Sequence, residues 1–554
     1  MAARRVRRSR AEFGWLAVSA SVALLILLPL VTLALIAAQG SGDLWPHLVA
    51  NVIPGAATRT IVLMAGVGAM VLTIGVGAAW LVTAYDFAGR RVLEWALLLP
   101  LAVPTYVVAF AYLDILHPIG PVQSTLREIF GIADPRALRL PDIRSMGGCI
   151  LLLGLVLYPY VYLSTRAMFL LQPANMIEAA QTLGASRAAV FFRVVLPFAR
   201  PGIAVGASLA LLETLNDIGA AEFLGVRTFT VSIYSTWINR SSLPGAAQIA
   251  LIMLAIVVAL MLIERWGRRH GDEAVSSESV EPMPVRRPGQ IAGAAMLFAG
   301  SLPVIFGFLV PSSYLVWETL VRLRADGLSP SIVTETANTA FVASIATVVT
   351  LAAGFAVAYA ARVTPGAAAA LTRRMAGLGY AVPGTVMALA LLTPLANFDN
   401  AVDGLARDVF GISTGLLLSG SGAALIYAYA ARFLVMPVNG FEAGLAKISL
   451  AVDETARTLG ASRMALMRLI HLPLLRPALA TAALMVFVDC MKELPATLLL
   501  RPLDFETLST HLYAEAARGT YEDGAIAALL IVLAGLLPVV LLSRLARPTA
   551  QTGD

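Results

Sequence analysis

The apolar residues of this chain gather into runs of roughly 18 or more, the length an α-helix needs to cross about 30 Å of hydrocarbon. That grouping leaves one fold class, an all-α integral membrane protein. Composition agrees: 58% of the 554 residues are hydrophobic and 13% charged, where soluble domains run near 25% charged. The formal charge of +6 suggests nucleic acid only at first glance. The arginines stand beside apolar runs, where they set topology, and form no aromatic-interleaved basic patch. Lys447 and Lys492 are the only lysines.

The spacing predicts about twelve spans, six in each half. The first half has them at about 15–38, 60–84, 92–115, 147–171, 201–222 and 244–263. The second has them at about 291–317, 338–362, 374–397, 414–438, 477–498 and 524–543. The first run follows Arg4, Arg5, Arg7, Arg8 and Arg10 and is longer than the apolar region of a cleaved signal peptide. It reads as a retained span with a cytoplasmic N-terminus. That orientation also puts Arg90, Arg91, Arg265, Arg268, Arg269, Arg286, Arg287, Arg373, Arg374, Arg544 and Arg547 in the cytoplasm, with the C-terminus.

The two halves are copies. Thr60 and Gly75 match Thr339 and Gly354 at an offset of 279, as Ala102-Val103-Pro104 matches Ala381-Val382-Pro383. With six spans each, the repeats share one orientation, so they are parallel and not inverted. The expected organisation is a first six-span repeat at 1–263 (core about 60–263), a polar linker at 264–290, and a second repeat at 291–554 (core about 338–543). A cavity between such halves is the natural place for a translocation path.

Several chemistries find no support. No GxxxxGK[ST] phosphate loop occurs, the five histidines lack ligand spacing, and no nucleophile arrangement is visible. Cys149 and Cys490 lie in or beside apolar runs and read as small buried side chains. No catalytic residue and no metal site is expected.

The most informative polar segment occurs twice. EAAQTLGASRAAVFFRVVLPFARP begins at Glu178 and ETARTLGASRMALMRLIHLPLLRP at Glu454, sharing TLGASR without interruption. Glu178, Gly184, Pro197, Arg200 and Pro201 each recur 276 positions later. The periodicity predicts a short helix with Ile177, Ala180 and Leu183 on one face and a break at Gly184. A second helix with Val190, Val194 and Val195 follows, stopped by Pro197. In the other copy Val452 and Leu459 precede Gly460, and Leu466, Met467 and Ile470 follow it. An amphipathic elbow resting on headgroups could drift in composition; six identical residues in a row indicate a shaped contact with a cytosolic partner.

Here the chain resembles the membrane permeases of bacterial ABC importers. They carry Glu-Ala-Ala, three residues, Gly, nine residues and Ile-x-Leu-Pro. The chain has Glu178-Ala179-Ala180, Gly184 and Val194-x-Leu196-Pro197, then Glu454-Thr455-Ala456, Gly460 and Ile470-x-Leu472-Pro473. The resemblance implies that Glu178, Ala179, Ala180, Gly184, Ala185, Ser186 and Arg187 couple one copy of a cytosolic ABC ATPase. Glu454, Thr455, Ala456, Gly460, Ala461, Ser462 and Arg463 would couple a second. ATP and Mg would then sit on that ATPase, and this chain would bind no cofactor of its own.

The fused layout, with LETLNDIGAAEFLGVRTFTVSIYSTW from Leu212 and KELPATLLLRPLDFETL from Lys492, is similar to ferric-iron-type permeases of the bacterial inner membrane. The resemblance implies iron import with a periplasmic binding protein; thiamine or phosphonate-like solutes are the alternatives within the class. An ion-coupled secondary transporter is the reading from a different class, and the duplicated docking segment speaks against it because such a carrier has no ATPase to dock.

Five charges fall inside apolar runs. Glu213 and Asp217 match Asp489 and Glu493 at the 276 offset, each pair spaced i, i+4 and so expected on one helical face, with Lys492 beside them. Each such charge costs about 2.5–3.5 kcal/mol near the bilayer centre. They therefore face protein or water, either bordering the translocation path or locking helices together, Lys492 with Asp489.

Overall fold

The computed structural model describes residues 10–132, 134, 136–268, 285–325, 327–364 and 366–545. The arginines at 4, 5, 7, 8, 269 and 547, and most of the 264–290 linker, lie outside the described residues. Helices account for nearly all regular structure among the described residues, with one isolated backbone bridge between Tyr85 and Arg286. Among the described residues, eight helices are long and apolar enough to cross a membrane unbroken, and three further bent pairs each make one more. Ala525–Leu541 is a shorter apolar helix at the place of the twelfth expected span.

The bends have local causes. Arg90–Ala102 and Thr105–Ile115 meet at 90°. Between them Val103 is extended (φ −103, ψ 117), because the ring of Pro104 disfavours the helical region for the residue before it. The expected span 374–397 is corrected for the same reason. Val382 before Pro383 is extended (φ −83, ψ 120), so the chain breaks there and a new helix, Gly384–Phe410, begins. The expected span 201–222 begins and ends earlier than read: its helix, Leu196–Asn216, stops at Asp217 (ψ 127).

The chain forms two compact units that cut across the repeat boundaries. One comprises Met1–Ser41, Ser242–Leu251 and Pro330–Thr510. In it the first span, Arg10–Ala38, packs on Pro330–Val363, Ala367–Ala376 and Gly384–Phe410 of the second repeat. Thr32 Oγ1 donates to the Ala390 carbonyl at 2.7 Å, Tyr427 donates to the Leu25 carbonyl at 2.5 Å, and Trp15 sits edge-on to Tyr359 at 4.9 Å. Cys490 is buried in this unit and unpaired.

The other unit comprises Gly42–Ser241, Ile252–Ser329 and His511–Asp554. Its centre is Ile53–Ala84 against Met146–Leu170, and it takes Val310–Ala325 and Ala525–Leu545 from the second repeat. Tyr112 donates to the Phe306 carbonyl at 2.7 Å, and Cys149 is buried and unpaired. Equivalent close approaches recur in each unit. A Cβ on Gly75 would lie 2.7 Å from Val161 Cβ, and one on Gly354 would lie 2.7 Å from Pro437 Cγ. The two pairs stand at matching repeat positions, and only the small residue lets the helices touch.

Candidate functional site: two docking elbows and two buried carboxylates

The two TLGASR segments fold alike. In the first, helix Ala174–Thr182 closes with Gly184 N–H on the Gln181 carbonyl (2.9 Å) and Ala185 N–H on the Ala180 carbonyl (3.0 Å). In the second, Leu450–Thr458 closes with Gly460 on Arg457 (3.0 Å) and Ala461 on Ala456 (2.9 Å). This is the Schellman arrangement, and it needs a left-handed residue: φ is +83° at Gly184 and +84° at Gly460. The next serine starts the following helix. Ser186 Oγ accepts from Ala189 N–H at 3.3 Å, and Ser462 Oγ from Ala465 N–H at 3.2 Å. Thr182 and Thr458 each donate to the glutamate carbonyl four residues back, at 2.8 Å. The shared TLGASR is thus a stop, a turn and a restart written in six residues.

The exposed face is not the one the periodicity suggested. Ile177 is buried and Ala180 half-buried, but Leu183 is 88% exposed and Leu459 83% exposed. Both leucines occupy the helix C-cap, where the chain has already turned outward. Glu178, Ala179, Arg187, Glu454 and Thr455 are exposed, whereas Ala456 is buried. The side chain of Arg463 lies outside the described ones.

Pro197 does not stop the second helix. Phe191–Val195 forms a wide turn in which Leu196 N–H reaches back five residues to the Phe191 carbonyl, and the helix then continues as Leu196–Asn216. Widening the turn accommodates a proline that lacks an N–H and would otherwise clash with the preceding turn. Met467–His471 forms the same wide turn before Pro473, but there the helix ends at Leu474 and the next, Arg476–Met491, sets off at 68°.

The elbows are tied to their bundles by different chemistry. Asp453 is buried under the second docking helix, where His471 Nε2 lies 3.0 Å away and Arg362 Nη2 3.2 Å away. Arg362 also donates to the carbonyls of Leu445 and Ile448. Burial alone would raise the Asp453 carboxyl, but the hydrogen bonds from His471 and Arg362 prevail and hold it below the ordinary value. The matching positions in the first repeat are Ile177, Val195 and Thr83. The one sequence sign of this network was an acidic residue on the inward face of an amphipathic helix.

The intramembrane charges separate into two sets. Asp217 and Glu493 lie beyond their helix ends, so neither continues the face of Glu213 or Asp489. Each caps the short helix that follows. Asp217 Oδ1 accepts from Ala221 N–H at 2.9 Å; Glu493 accepts from Ala496 N–H at 3.0 Å and Thr497 N–H at 3.1 Å. Their remaining partners differ: Thr105 Oγ1 donates to Asp217, whereas Arg432 Nη1 donates to Glu493 at 2.6 Å. Glu213, Asp489 and Lys492 are only half-buried, and Lys492 Nζ meets Asp489 at 2.8 Å.

Threonines hold the chain after each cap. Thr60 Oγ1 accepts from Phe229 N–H (3.1 Å) and Thr339 Oγ1 from Leu508 N–H (2.9 Å). Thr230 donates to the Asp217 carbonyl (2.8 Å) and Ser509 to the Glu493 carbonyl (2.9 Å). Thr60 and Thr339 were visible as a repeat match; Thr105 and Arg432 gave no sequence signal. Among the described residues no three His, Cys, Asp or Glu side chains gather as a metal site would require.

Comparison with known proteins agrees with this duplicated architecture. Residues 71–269 match the family described as binding-protein-dependent transport system inner membrane component. The chain is 25% identical over 500 residues to the Fe(3+)-transport system permease protein FbpB 2 of Haemophilus influenzae, covering 88% of this chain and 89% of that one. It is 30% identical over 201 residues to the molybdenum transport system permease protein ModB of Escherichia coli, 35% of this chain and 84% of the relative. It is 28% identical over 262 residues to the sulfate transport system permease protein CysT of Escherichia coli, 45% and 90% respectively. About a third to a half of this chain suffices to cover the shorter relatives, as a chain holding the permease unit twice requires. The chain belongs to the binding-protein-dependent inner-membrane transport permeases, with a membrane-spanning unit present in duplicate.

Proposed function

We propose that this chain is the membrane subunit of an ATP-driven importer carrying ferric iron handed over by a periplasmic binding protein. The observation that carries iron is the extent of similarity to the Fe(3+)-transport permease, which runs through both repeats, where the molybdenum and sulfate relatives match a shorter stretch. ATP and Mg reside on two copies of a separate ATPase, one at each TLGASR elbow, and both chain termini lie on that side of the membrane. Two elbows of one geometry, each with an exposed leucine, are what a pair of identical partners requires.

Within each repeat the intramembrane charges, Glu213 and Asp217 in the first and Asp489, Lys492 and Glu493 in the second, are the groups that would give a trivalent cation or its hydrated complex a weak, favourable field on the translocation path. A second reading, an oxyanion substrate, is favoured by the identity to the molybdenum and sulfate permeases. Uptake of radiolabelled ferric iron, molybdate and sulfate in cells lacking this chain, with and without its restoration, separates the two. Restored iron uptake that stops when the partner ATPase loses its phosphate-binding lysine supports the proposal; restored molybdate or sulfate uptake alone refutes the iron assignment.

A further inference from the structure

A pocket of about 270 Å³ opens beside the first docking helix. Trp80, Tyr85 and Phe191 supply aromatic walls, and two arginines, Arg187 of TLGASR and Arg286 just before the second repeat, also line it. The rings pack on one another, Trp80 to Phe191 at 4.9 Å and to Tyr85 at 6.5 Å between centroids. Arg286 is held there by its backbone. Its N–H donates to the Ala84 carbonyl at 3.0 Å, and its carbonyl accepts from Asp86 N–H at 2.7 Å. The neighbouring Arg287 pairs with Asp86, at 3.4 Å. Among the described residues, the side chains of Arg187 and Arg286 have no ion-pair partner.

The second elbow shows what is missing. There Asp453 supplies a carboxylate to Arg362 and His471 from within the chain. In the first repeat the same helix position is Ile177, which lines the pocket and offers the arginines nothing. We infer that the first elbow is completed by a phosphate group from outside the chain, bound in this pocket by Arg187 and Arg286. Guanidinium forks match phosphate oxygens with two parallel hydrogen bonds each, and two uncompensated cations lining one pocket favour a multiply charged oxyanion. Aromatic rings beside arginines at the end of membrane helices also suit the headgroup level of a bilayer. An acidic phospholipid and free phosphate present the same chemistry, so both are sources of the group.

The test does not depend on transport. The full-length chain in detergent is titrated with phosphatidylglycerol or phosphatidylcholine and read by native mass spectrometry. Selective retention of one phosphatidylglycerol is expected, with Arg286→Gln weakening it about tenfold or more and Arg287→Gln leaving it unchanged. Competition by millimolar inorganic phosphate identifies a site that reads phosphate alone; retention that survives it identifies the lipid headgroup as the source. Equal retention of the two lipids, or equal retention by the wild type and Arg286→Gln, overturns the inference.

Discussion

Arg432 and Glu493 meet at 2.6 Å inside their bundle, and the pair exists because position 384 is glycine. A Cβ there would lie 2.7 Å from both the Arg432 guanidinium and the Glu493 carboxylate. The first repeat solves the same problem with other residues: Thr105 matches Gly384, Val156 matches Arg432, and Asp217 matches Glu493. A hydroxyl that donates to a shorter carboxylate replaces a buried ion pair.

Breaking that pair should therefore be costly, and rebuilding it in the other style should not. Glu493→Gln or Arg432→Val alone leaves an uncompensated buried charge, which costs about 3–5 kcal/mol. Each should lower the melting temperature of the solubilised protein and its accumulation in the membrane. The triple variant Gly384→Thr, Arg432→Val, Glu493→Asp copies the first repeat and should recover most of the loss. A triple variant no more stable than the singles would show that the two caps are not interchangeable.

The glycines of the elbows give a graded prediction. At Gly184 and Gly460 the space for a Cβ is open, so alanine meets no clash and feels only the left-handed backbone, about 1–2 kcal/mol. Proline, fixed near φ −65°, cannot adopt +83° or +84° at all. Reconstituted with its ATPase, the Gly→Ala variants should keep coupled transport. Gly184→Pro or Gly460→Pro should leave partial transport, and the double proline variant should leave ATP hydrolysis without uptake. Wild-type transport by the double proline variant would remove the elbows from coupling.

The sequence made the membrane class, the repeat and these turns legible because each rests on local rules. Apolar runs report span length, and Leu-Gly-Ala-Ser reports a helix stop and restart. The exchange of Arg10–Ala38 into the unit of the second repeat was not legible, because long-range packing decides it and every apolar span looks alike to a neighbour. Pro197 was misread for a related reason. Its usual effect on a helix is local, but the wide turn at Phe191–Val195 absorbs it. The i, i+4 spacing of Glu213 and Asp217 likewise held no information about where the helix would end.

The ionic tether of the second elbow makes it acid-sensitive. Asp453 has its carboxyl held below the ordinary value of 3.8 in the folded protein. Its contribution is therefore fully present above 3.8 and is lost as pH falls through the lower folded value. Hydrogen exchange of Leu450–Thr458 should quicken in that acidic window once intrinsic rates are subtracted. Ala174–Thr182, with Ile177 in the matching place, should not respond. Asp453→Asn should expose the second helix at neutral pH; an unchanged exchange rate in that variant would mean the tether carries no stability.

Leu183 and Leu459 offer the most direct test of docking. At 88% and 83% exposure they contribute almost nothing to the fold, so replacing them should not disturb folding. Burying a leucine against a partner is worth about 1.5–3 kcal/mol, and each 1.4 kcal/mol changes an equilibrium about tenfold. Leu183→Ser and Leu459→Ser should each weaken ATPase retention during purification about tenfold or more, with melting temperature unchanged. Two equivalent elbows holding two copies of one partner predict that the double variant loses the ATPase altogether, while each single variant retains one copy more firmly than the other. Retention of both copies at wild-type strength by the double variant would show that the exposed leucines are not where the partner binds.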